Sequence, residues 1–454
     1  MGDLKSIIMQ RTLIINTTKK INQKIKIKGW AQSIRQHGKI SFLDISDRSA
    51  TVQVIFEGKL MDLKEQYTVS VEGIVKERPV KLINTRLETG KLEIEAKKIK
   101  ILSKSKTLPF DMGSENLNIS LPTLLDYQPL TLRHYKNRAI FKIQSEIAQS
   151  FRKTMQKMDF TEFNGPTIVP VATEGGAEVF KIQYFNHNAY LAQSPQLYKQ
   201  IMVGVFERVF TITHAFRAEP STTTRHICEY ITMDAEMGFI NSYKDLMDIV
   251  EKVFKNIFAD LRKNYSRELK IHSAKELKIK KSIPRLRLSE AQEIIFQRTG
   301  RDNRKKMDLE PEDEREICVW AKEKHNCELV FITHYPTKKR PFYTYPDPKN
   351  PDLTLSFDLL FRGLEVVTGG RRINNYAKLL KNIKKWGNKP KDFKFYLHAF
   401  KYGMPPEGGF AIGLERITKQ VLGLENIREA TLFPRDMERI DMRLEKKSCK
   451  KQNK

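Results

Sequence analysis

The stretch RVFTITHAFRAEPSTTTRHICEYITMDAEMGF, residues 208–239, decides how the larger part of this chain folds. Its two ends are rich in β-branched and aromatic residues, and the polar run PSTTT lies between them. This pattern predicts a long β-hairpin with Arg217 and Arg225 at the two ends of its loop. Two planar, permanently charged guanidinium groups suit a polyphosphate, and Glu219 offers an acceptor to an amino group. A surface ion-pair network is the alternative, so other motifs have to decide.

A second charged group lies in LSFDLLFRGLEVVTGGRR, residues 355–372. Asp358 and Glu365 are seven residues apart, so an unbroken strand would place them on opposite faces. We expect Gly363 to supply a β-bulge that returns both carboxylates to one face. Two carboxylates near phosphates are what Mg²⁺ requires, because this ion takes hard oxygen ligands. An exposed pair of acids without a metal is the alternative.

The stretch EGGFAIGLERITKQVLGL, residues 407–424, predicts an apolar strand that runs into Gly413 and then an amphipathic helix. Arg416 lies in the first turn of this helix, where the helix dipole disfavours a cation. Contact with a base or a phosphate explains such an arginine better than a structural role. No GxxxxGKS or GxxxxGKT motif occurs, which excludes a P-loop nucleotide site.

Composition indicates the kind of partner. The 454 residues include 81 Lys and Arg against 54 Asp and Glu, a formal net charge of +27. This excess favours nucleic acid before an anionic membrane, although a Lys-rich surface without a partner is the alternative. The four cysteines form no CxxC pair, which argues against a zinc site or a disulfide framework. With no apolar run long enough to span a bilayer, we expect a soluble cytoplasmic protein without a membrane partner.

The first hundred residues form the smaller of two predicted domains. Residues 1–104 carry short alternating strands, which predict a five-stranded oligonucleotide-binding barrel. Trp30, Phe42 and Arg35 are candidates for contacts with unpaired bases, and core positions are the alternative for the two aromatics. Residues 105–136 contain prolines and little periodicity, which predicts a hinge or linker.

The remaining residues form one larger unit. Residues 137–445 alternate between helical and strand patterns, and the basic tail 446–454 is expected to be disordered. Together the two domains predict an α+β protein in which the larger unit is built on an antiparallel sheet flanked by helices.

Three motifs resemble those of a known family. FRAE…TRH, GLE…TGGRR and GGFAIGLER…NIREATLFPRD resemble the conserved motifs of class II aminoacyl-tRNA synthetases. TEGGAEVF (173–180) and AYLAQSPQLYKQ (189–200) are similar to the aspartyl-tRNA synthetases of the archaeal and eukaryotic type. The resemblance covers nearly the whole chain and implies an anticodon-binding barrel and a homodimer. MDFTEFNGPTIVP (158–170) resembles the dimer-forming motif, with Pro166 at its usual proline position.

The resemblance implies an ATP site. Arg217 matches the arginine that contacts the α-phosphate and the aspartate carboxylate, while Arg225 and Arg416 match those at the γ-phosphate. Arg217 and Arg416 are the expected catalytic residues, and Glu219 meets the adenine amino group. The ATP-binding residues implied are Arg217, Ala218, Glu219, Arg225, His226, Ile227, Glu365, Gly413, Leu414, Glu415 and Arg416.

The resemblance also implies a metal site and an amino-acid pocket. Glu365 matches the Mg²⁺-binding glutamate, with Asp358 and Thr368 beside it. The expected reaction joins aspartate to ATP through its α-carboxylate, expels pyrophosphate and passes the aspartyl group to tRNA. The aspartate-binding residues implied are Glu174, Gln196, Leu197, Tyr198, Lys199, Arg217, Thr368 and Arg372.

Some positions depart from the family pattern. Arg371 replaces a Gln, Asn374 replaces a His, and Glu407 stands where PPHGG has its His. Lys199 beside Arg372 favours aspartate over asparagine, because two cations suit a side-chain carboxylate better than a neutral amide. An asparaginyl-tRNA synthetase and a non-catalytic RNA-binding paralogue are the alternatives.

The choice of tRNA depends on two barrel positions. The anticodons for aspartate and asparagine differ only in their last base, so discrimination requires a contact with that pyrimidine. Discriminating members of the family tend to have Trp and Lys where this chain has Gln32 and Pro79, and relaxed members tend to have His and Pro. Pro79 has no N–H and no side-chain donor for a base. We therefore expect both tRNA(Asp) and tRNA(Asn) as partners, although Gln32 fits neither pattern and a discriminating enzyme is the alternative.

Overall fold

The computed structural model describes residues 9–60, 62–85, 87–172 and 179–444. The chain divides into two compact units, Met1–Ile119 and Ser120–Lys454. The strands of the first unit are β1 (Lys24–His37), β2 (Ile40–Ser46), β3 (Thr51–Glu57), β4 (Thr68–Glu77) and β5 (Leu92–Ser103). They form a closed barrel in the order β1-β2-β3-β5-β4, which confirms the predicted five-stranded barrel.

The barrel interior follows from alternation along each strand. Ile25 and Ile27 of β1 and Val69 and Val71 of β4 point inward and are almost completely buried. This period of two is the one expected for strands with one face on a core. Trp30 lies outside this core with 37% of its surface exposed.

The second unit contains the remaining elements. In chain order they are α1 (Leu121–Asp126), α2 (Gln128–Thr131), α3 (Tyr135–Gln156), β6 (Thr161–Glu162), β7 (Ile168–Val169), β8 (Lys181–Tyr184), β9 (His187–Leu191), α4 (Gln196–Phe206), β10 (Arg208–Phe216), β11 (Glu229–Gly238), α5 (Tyr243–Asn264), α6 (Ser266–Ile271), β12 (Arg285–Arg287), α7 (Leu288–Thr299), α8 (Pro311–His325), β13 (Leu329–Thr333), β14 (Pro346–Asp347), β15 (Asn350–Thr354), β16 (Ser356–Phe361), β17 (Leu364–Arg371), α9 (Tyr376–Lys385), α10 (Lys394–Phe400), β18 (Glu407–Gly413) and α11 (Leu414–Leu422).

An eight-stranded sheet organises this unit, in the order β12-β13-β16-β17-β18-β11-β10-β6. One face packs on α3, α5 and α11 through the largest hydrophobic core, which includes Phe210, Met233, Phe410 and Val367. Residues that alternate with these, such as Asp234 and Thr368, therefore lie on the opposite face. The sheet is antiparallel except where β6 pairs with β10 and β12 with β13.

The predicted hairpin of residues 208–239 is confirmed. β10 and β11 pair antiparallel from Arg208↔Met237 to Phe216↔Glu229. β10 ends sooner and β11 begins later than predicted, so the polar connection spans residues 217–228. Arg217 and Arg225 therefore both lie in this connection.

Part of the predicted linker is folded into the larger unit. Residues 120–136 contain α1 and α2 and the start of α3. Ser120 caps α1 by accepting a hydrogen bond from the Thr123 N–H. Gln128 donates to the Thr431 carbonyl at 3.0 Å and accepts from the Phe433 N–H at 2.6 Å. These long-range contacts fix two short helices that local periodicity does not indicate.

Two further features concern the protein as a whole. None of the helices within the described ranges is long and apolar enough to cross a membrane. Cys228, Cys318 and Cys327 are buried free thiols, and burial raises the pKa of Cys318 to about 12. A thiol with such a pKa stays protonated and unreactive at neutral pH.

The β16–β17 turn yields a prediction about backbone strain. Gly363 has φ +79°, and a Cβ there would lie 2.6 Å from Arg315 Cγ and 3.0 Å from Arg315 Cα on α8. Gly387 has a similar φ of +76°, but a Cβ there would meet nothing within 4 Å. Positive φ alone costs a non-glycine residue about 1–2 kcal/mol, and the overlap adds about 1–3 kcal/mol. We expect Gly363→Ala to lower the free energy of unfolding clearly more than Gly387→Ala does.

Denaturant unfolding of both variants measures this difference. Equal losses of unfolding free energy in the two variants would show that α8 moves aside without an energetic cost and that the turn does not pack tightly against Arg315.

Candidate active site

One row of side chains crosses the sheet on the face opposite the main core. Asp358 of β16 pairs with Thr368 of β17, Thr368 with Ala411 of β18, and Ala411 with Asp234 of β11. Directly opposed residues of neighbouring strands present their side chains on one face. The predicted metal-site residues and the acids of β11 therefore share a surface.

The carboxylates of Asp358 and Glu365 come to the same face through a β-bulge, but Gly363 does not supply it. Gly363 and Arg362 form the hairpin turn, both with positive φ. The register changes between Leu359↔Val367 and Leu360↔Glu365, so Val366 is the additional residue. The expected location was wrong because glycine serves the tight turn, while a buried valine is accommodated within the strand.

Arg340 is a site residue that the sequence pattern did not reveal. Its Nη2 donates to Asp358 Oδ2 at 2.7 Å, and its Nη1 donates to Thr368 Oγ1 at 3.2 Å. Its guanidinium also lies 3.9 Å from the centre of the Tyr335 ring. Arg340 precedes Asp358 by 18 residues and lies in a loop, so no periodic pattern indicated this contact.

The two carboxylates influence each other. Desolvation by the surrounding protein raises the pKa of Glu365 and the charge of Asp358 raises it further, whereas Arg416 and Arg340 lower it. Glu365 retains 35% side-chain exposure, and Asp358 Oδ1 is buried without a hydrogen-bond partner in the described part of the chain. Two hard oxygen donors with incomplete compensation fit a divalent cation that also binds phosphate oxygens.

Three arginines converge on His226 in the connection between β10 and β11. Burial, and after it the charges of Arg416, Arg225 and Arg217, together lower the pKa of His226 to about 4. The ring is therefore neutral at neutral pH, and its Nδ1 lies 2.9 Å from Thr223 Oγ1. The structure thus brings together the three arginines that two separate stretches of the sequence predicted, as a polyphosphate site requires.

Arg416 joins this group to the carboxylate pair. It lies in the first turn of α11, as predicted, and its Nη1 donates to the Glu365 carbonyl at 3.0 Å. The same Nη1 is 3.7 Å from Glu365 Oε1. Gly413 is the N-cap residue of α11, and Leu414 and Glu415 behind it are buried. Glu415 accepts from the Ile231 N–H with both oxygens at 3.1 Å.

Glu314 is a second residue that the sequence did not indicate. It lies on α8, which packs on the same sheet face through Ile317 and Leu360. Its carboxylate forms an ion pair with Arg225. The pKa of Glu314 is raised to about 7, because burial and the charge of Glu365 raise it more than Arg225 and Arg416 lower it. In this structure Glu314 is the anion that Arg225 binds.

A buried ion group lies farther along the same face. Lys199 Nζ donates to Asp234 Oδ2 at 2.8 Å and lies 3.1 Å from Glu236 Oε2. Arg372 Nε donates to Glu236 Oε1 at 2.8 Å. Lys199 is 1% exposed and Arg372 6%, so both cations are removed from bulk water. Gly409 makes room for this group, because a Cβ there would overlap the Glu236 carboxylate.

The first turn of α4 places other predicted pocket residues beside this ion group. Gln196 Oε1 accepts from Arg372 Nη2 at 3.3 Å. Leu197 is buried in a core with Phe163 and Tyr343, and burial raises the pKa of the Tyr198 hydroxyl. Glu174, predicted to close over the amino acid, lies outside the described residues.

The predicted adenine contacts lie at the start and end of the 217–228 connection. The Glu219 N–H donates to the Arg217 carbonyl at 2.8 Å, which fixes Ala218 in a tight turn. Arg217 lies 6.0 Å from the centre of the Tyr230 ring, and Ile227 is buried. This end of the site therefore combines a ring surface with backbone and carboxylate acceptors.

The two discrimination positions lie on the barrel. Gln32 is the extra residue of a β-bulge in β1, between Ala31↔Ile45 and Ser33↔Asp44. Its Oε1 accepts a hydrogen bond from Gln66 Nε2 at 3.0 Å. Pro79 is exposed directly after β4.

Comparison with known proteins identifies both units. Residues 120–437 match the family model described as tRNA synthetases class II (D, K and N). Residues 25–102 match the model of an OB-fold nucleic acid binding domain.

Relatives match over nearly the whole chain. The chain is 41% identical to the aspartate–tRNA(Asp/Asn) ligase of Thermus thermophilus, covering 95% of this chain and 99% of that protein. It is 38% identical to the aspartate–tRNA(Asp) ligase of Pyrococcus abyssi, covering 93% and 97%. The crystal structure of asparaginyl-tRNA synthetase from Pyrococcus horikoshii with asparaginyl-adenylate superposes with a TM-score of 0.86 at 29% identity, covering 95% and 99%.

Proposed function

Because this chain belongs to the class II tRNA synthetases of the D, K and N group, we propose that it is an aspartate–tRNA ligase that charges both tRNA(Asp) and tRNA(Asn). The observation that carries the proposal is one sheet face. It holds three converging arginines, a carboxylate pair and a buried Lys199–Arg372 group.

Aspartate is the amino acid that this site favours. Arg372 uses Nε and Nη2 for protein contacts, and its Nη1 has no hydrogen-bond partner among the described residues. A guanidinium edge beside a second cation suits the aspartate side-chain carboxylate. Asparagine would offer a neutral amide there and leave the cations less compensated.

ATP binds in this proposal with its phosphates among Arg217, Arg225 and Arg416. Arg225 exchanges its contact with Glu314 for phosphate oxygens, and Arg416 approaches from the start of α11. Glu219 and Tyr230 hold the adenine. The neutral His226 ring lies among the arginines without adding a further charge.

Asp358, Glu365 and Thr368 are the residues that would hold Mg²⁺. Within the described residues no three His, Cys, Asp or Glu side chains form a metal-binding group. Two carboxylates and a hydroxyl therefore leave further coordination positions to phosphate oxygens, as is usual for this ion. When bound, Mg²⁺ neutralises charge on the phosphates of ATP.

The chemistry follows from positioning. The aspartate α-carboxylate attacks the α-phosphorus of ATP, the bond to the β-phosphate oxygen breaks, and aspartyl-adenylate and pyrophosphate form. Arg217 lies at the α-phosphate and stabilises the charge that develops there, while Arg416 and Arg225 hold the leaving pyrophosphate. The terminal ribose hydroxyl of tRNA then attacks the aspartyl carbonyl and releases AMP.

Anticodon bases bind the barrel of residues 24–103 in this proposal. Trp30, with 37% exposure, and the half-buried Phe42 beside Arg35 in the β1–β2 pair offer stacking surfaces. Stacking on an aromatic ring contributes roughly 1–3 kcal/mol per base and is tolerant of base identity. The absence of a donor at Pro79 supports relaxed recognition of the last anticodon base.

The proposed assembly is a homodimer. The three-stranded sheet β7-β9-β8 leaves Ile168 45%, Tyr184 48% and Phe185 80% exposed. Exposed apolar side chains of this size are typical of an interaction surface. Ile168 lies within the segment 158–170 that resembles the dimer-forming motif, and Tyr184 and Phe185 follow that segment.

The first test is ATP–pyrophosphate exchange with aspartate and asparagine in parallel. We expect aspartate to support exchange at least about 100-fold more efficiently, a difference of about 2.7 kcal/mol. Glutamate serves as a control, because it carries the same carboxylate on a longer side chain. Equal or better exchange with asparagine would refute the aspartate assignment.

A second prediction concerns the carboxylate pair. Glu365→Gln removes one charged ligand and is expected to lower exchange at least about 100-fold and to raise the Mg²⁺ concentration needed for half-maximal rate. The matched control is Glu312→Gln, which removes the same charge from an exposed position on α8. Both variants should unfold at parental denaturant concentrations. A folded Glu365→Gln protein with parental exchange would exclude Glu365 as a ligand.

The third prediction concerns tRNA. Labelled aspartate should be transferred to purified tRNA(Asp) and tRNA(Asn) with efficiencies within about tenfold of each other. This corresponds to a difference in activation free energy of about 1.4 kcal/mol. A tRNA for lysine is the control and should remain uncharged. Charging of tRNA(Asn) that is a hundredfold or more weaker would identify a discriminating enzyme and contradict the inference from Pro79.

A further inference from the structure

Glu407 is a fully buried carboxyl group at the start of β18, with no exposed surface. The family motif has a histidine at this position. The backbone ties Glu407 to the amino-acid pocket, since the Arg372 N–H donates to the Glu407 carbonyl at 2.9 Å. Glu236 already lies near this position, so Glu407 adds a second acid beside the buried ion group.

A continuous hydrogen-bonded relay joins the Glu407 side chain to Arg372. Gln200 Nε2 donates to Glu407 Oε1 at 2.8 Å, and Gln196 Nε2 donates to Gln200 Oε1 at 3.0 Å. Arg372 Nη2 donates to Gln196 Oε1 at 3.3 Å. Each amide accepts with its oxygen and donates with its nitrogen, so the acceptor at Glu407 fixes the orientation of both.

Tyr396 adds a second donor to the relay. Its hydroxyl donates to Gln200 Oε1 at 3.1 Å. Gln196, Gln200 and Tyr396 are all at least 96% buried, so water does not compete for these contacts. A reversed Gln200 amide would direct its N–H groups at those of Gln196 and at the Tyr396 hydroxyl, which makes the observed orientation the favourable one.

The charges around Glu407 decide its protonation state. Glu236 faces it from β11, Arg372 from the end of β17, Lys199 and Gln200 from α4, and Tyr396 from α10. The two cations are already paired with Asp234 and Glu236. An ionised Glu407 would therefore be a third buried carboxylate against two cations.

The environment of Glu407 favours the neutral acid. Its Oε2 is buried and has no hydrogen-bond partner within the described ranges. Burial raises the pKa of Glu407 well above the usual glutamate value and Glu236 raises it further, while Gln200, Arg372 and Lys199 lower it. An uncompensated buried charge costs far more than a neutral carboxyl group at the same place.

We propose that Glu407 is a positioning residue for amino-acid specificity. As a neutral carboxylic acid, it orients Gln200, Gln196 and Arg372 for the aspartate carboxylate and adds no negative charge beside the amino-acid pocket. The inference rests on the proposed function and extends it to a residue that does not touch the substrate. Ionisation of Glu407 would place a like charge near the bound aspartate carboxylate and weaken aspartate binding, with little effect on asparagine.

Calorimetric binding of L-aspartate and L-asparagine to the full-length protein, without ATP, tests this inference from neutral to alkaline pH. Glu407→Gln retains an acceptor for Gln200 and cannot ionise, so we expect it to bind aspartate within about threefold of the parent at neutral pH. As pH rises, the parent should lose aspartate affinity and Glu407→Gln should lose less. Glu407→Leu removes the acceptor and should weaken aspartate binding at least about tenfold.

Glu146→Gln is the matched control. Glu146 lies on α3, is 4% exposed and accepts a hydrogen bond from Asn264 Nδ2 at 3.0 Å. Like Glu407, it is therefore a buried glutamate that accepts from a side-chain amide. It should change neither aspartate affinity nor its pH dependence.

Three results would overturn the inference. They are tenfold weaker aspartate binding by Glu407→Gln at neutral pH, parental binding by Glu407→Leu, and identical pH profiles of the parent and Glu407→Gln. If Glu407→Leu fails to fold, the comparison with Glu407→Gln still decides. A parent protein that binds aspartate with the expected pH dependence but supports no exchange would contradict the proposed function alone, and one that binds no aspartate would contradict both.

Discussion

The buried ion group of Lys199, Arg372, Asp234 and Glu236 is the interaction on which the site depends. β11 alternates these two acids with core residues such as Met233, so burial of its apolar side brings both carboxylates to the other face. A buried carboxylate without a partner costs several kcal/mol, so each requires a cation. The first turn of α4 and the end of β17 provide the two cations, which fixes both elements against the sheet.

Much of the fold and part of the site could be predicted from local patterns. Alternation of apolar and polar residues predicted the barrel and the hairpin around Arg217 and Arg225, because a period of two follows directly from strand geometry. The dipole argument for Arg416 needed only its place in the first turn of a helix. The types of the residues and their positions within short stretches of sequence were therefore sufficient to predict the three arginines that converge on His226.

The remaining contacts depend on chain folding over long distances. Arg340 reaches Asp358 from a loop, and Glu314 reaches Arg225 from α8, 89 residues farther along the chain. Neither has a local signal, since an acid in the first turn of a helix is common on the surface as well. The bulge was predicted at the wrong residue for a related reason. A glycine signals freedom of the backbone, but only cross-strand pairing shows which residue is the extra one.

The bulge at Val366 makes the β16–β17 hairpin sensitive to residue number as well as residue identity. Loss of Val366 would give regular pairing and keep Glu365 opposite Leu360, on the face that holds Asp358 and Thr368, because residues two apart in a strand share a face. A single residue inserted between Leu359 and Leu360 would instead pair with Val366, remove the bulge and turn Glu365 toward the hydrophobic core. Such a one-codon insertion would thus remove the Glu365 carboxylate from the site although every functional side chain stays in the sequence.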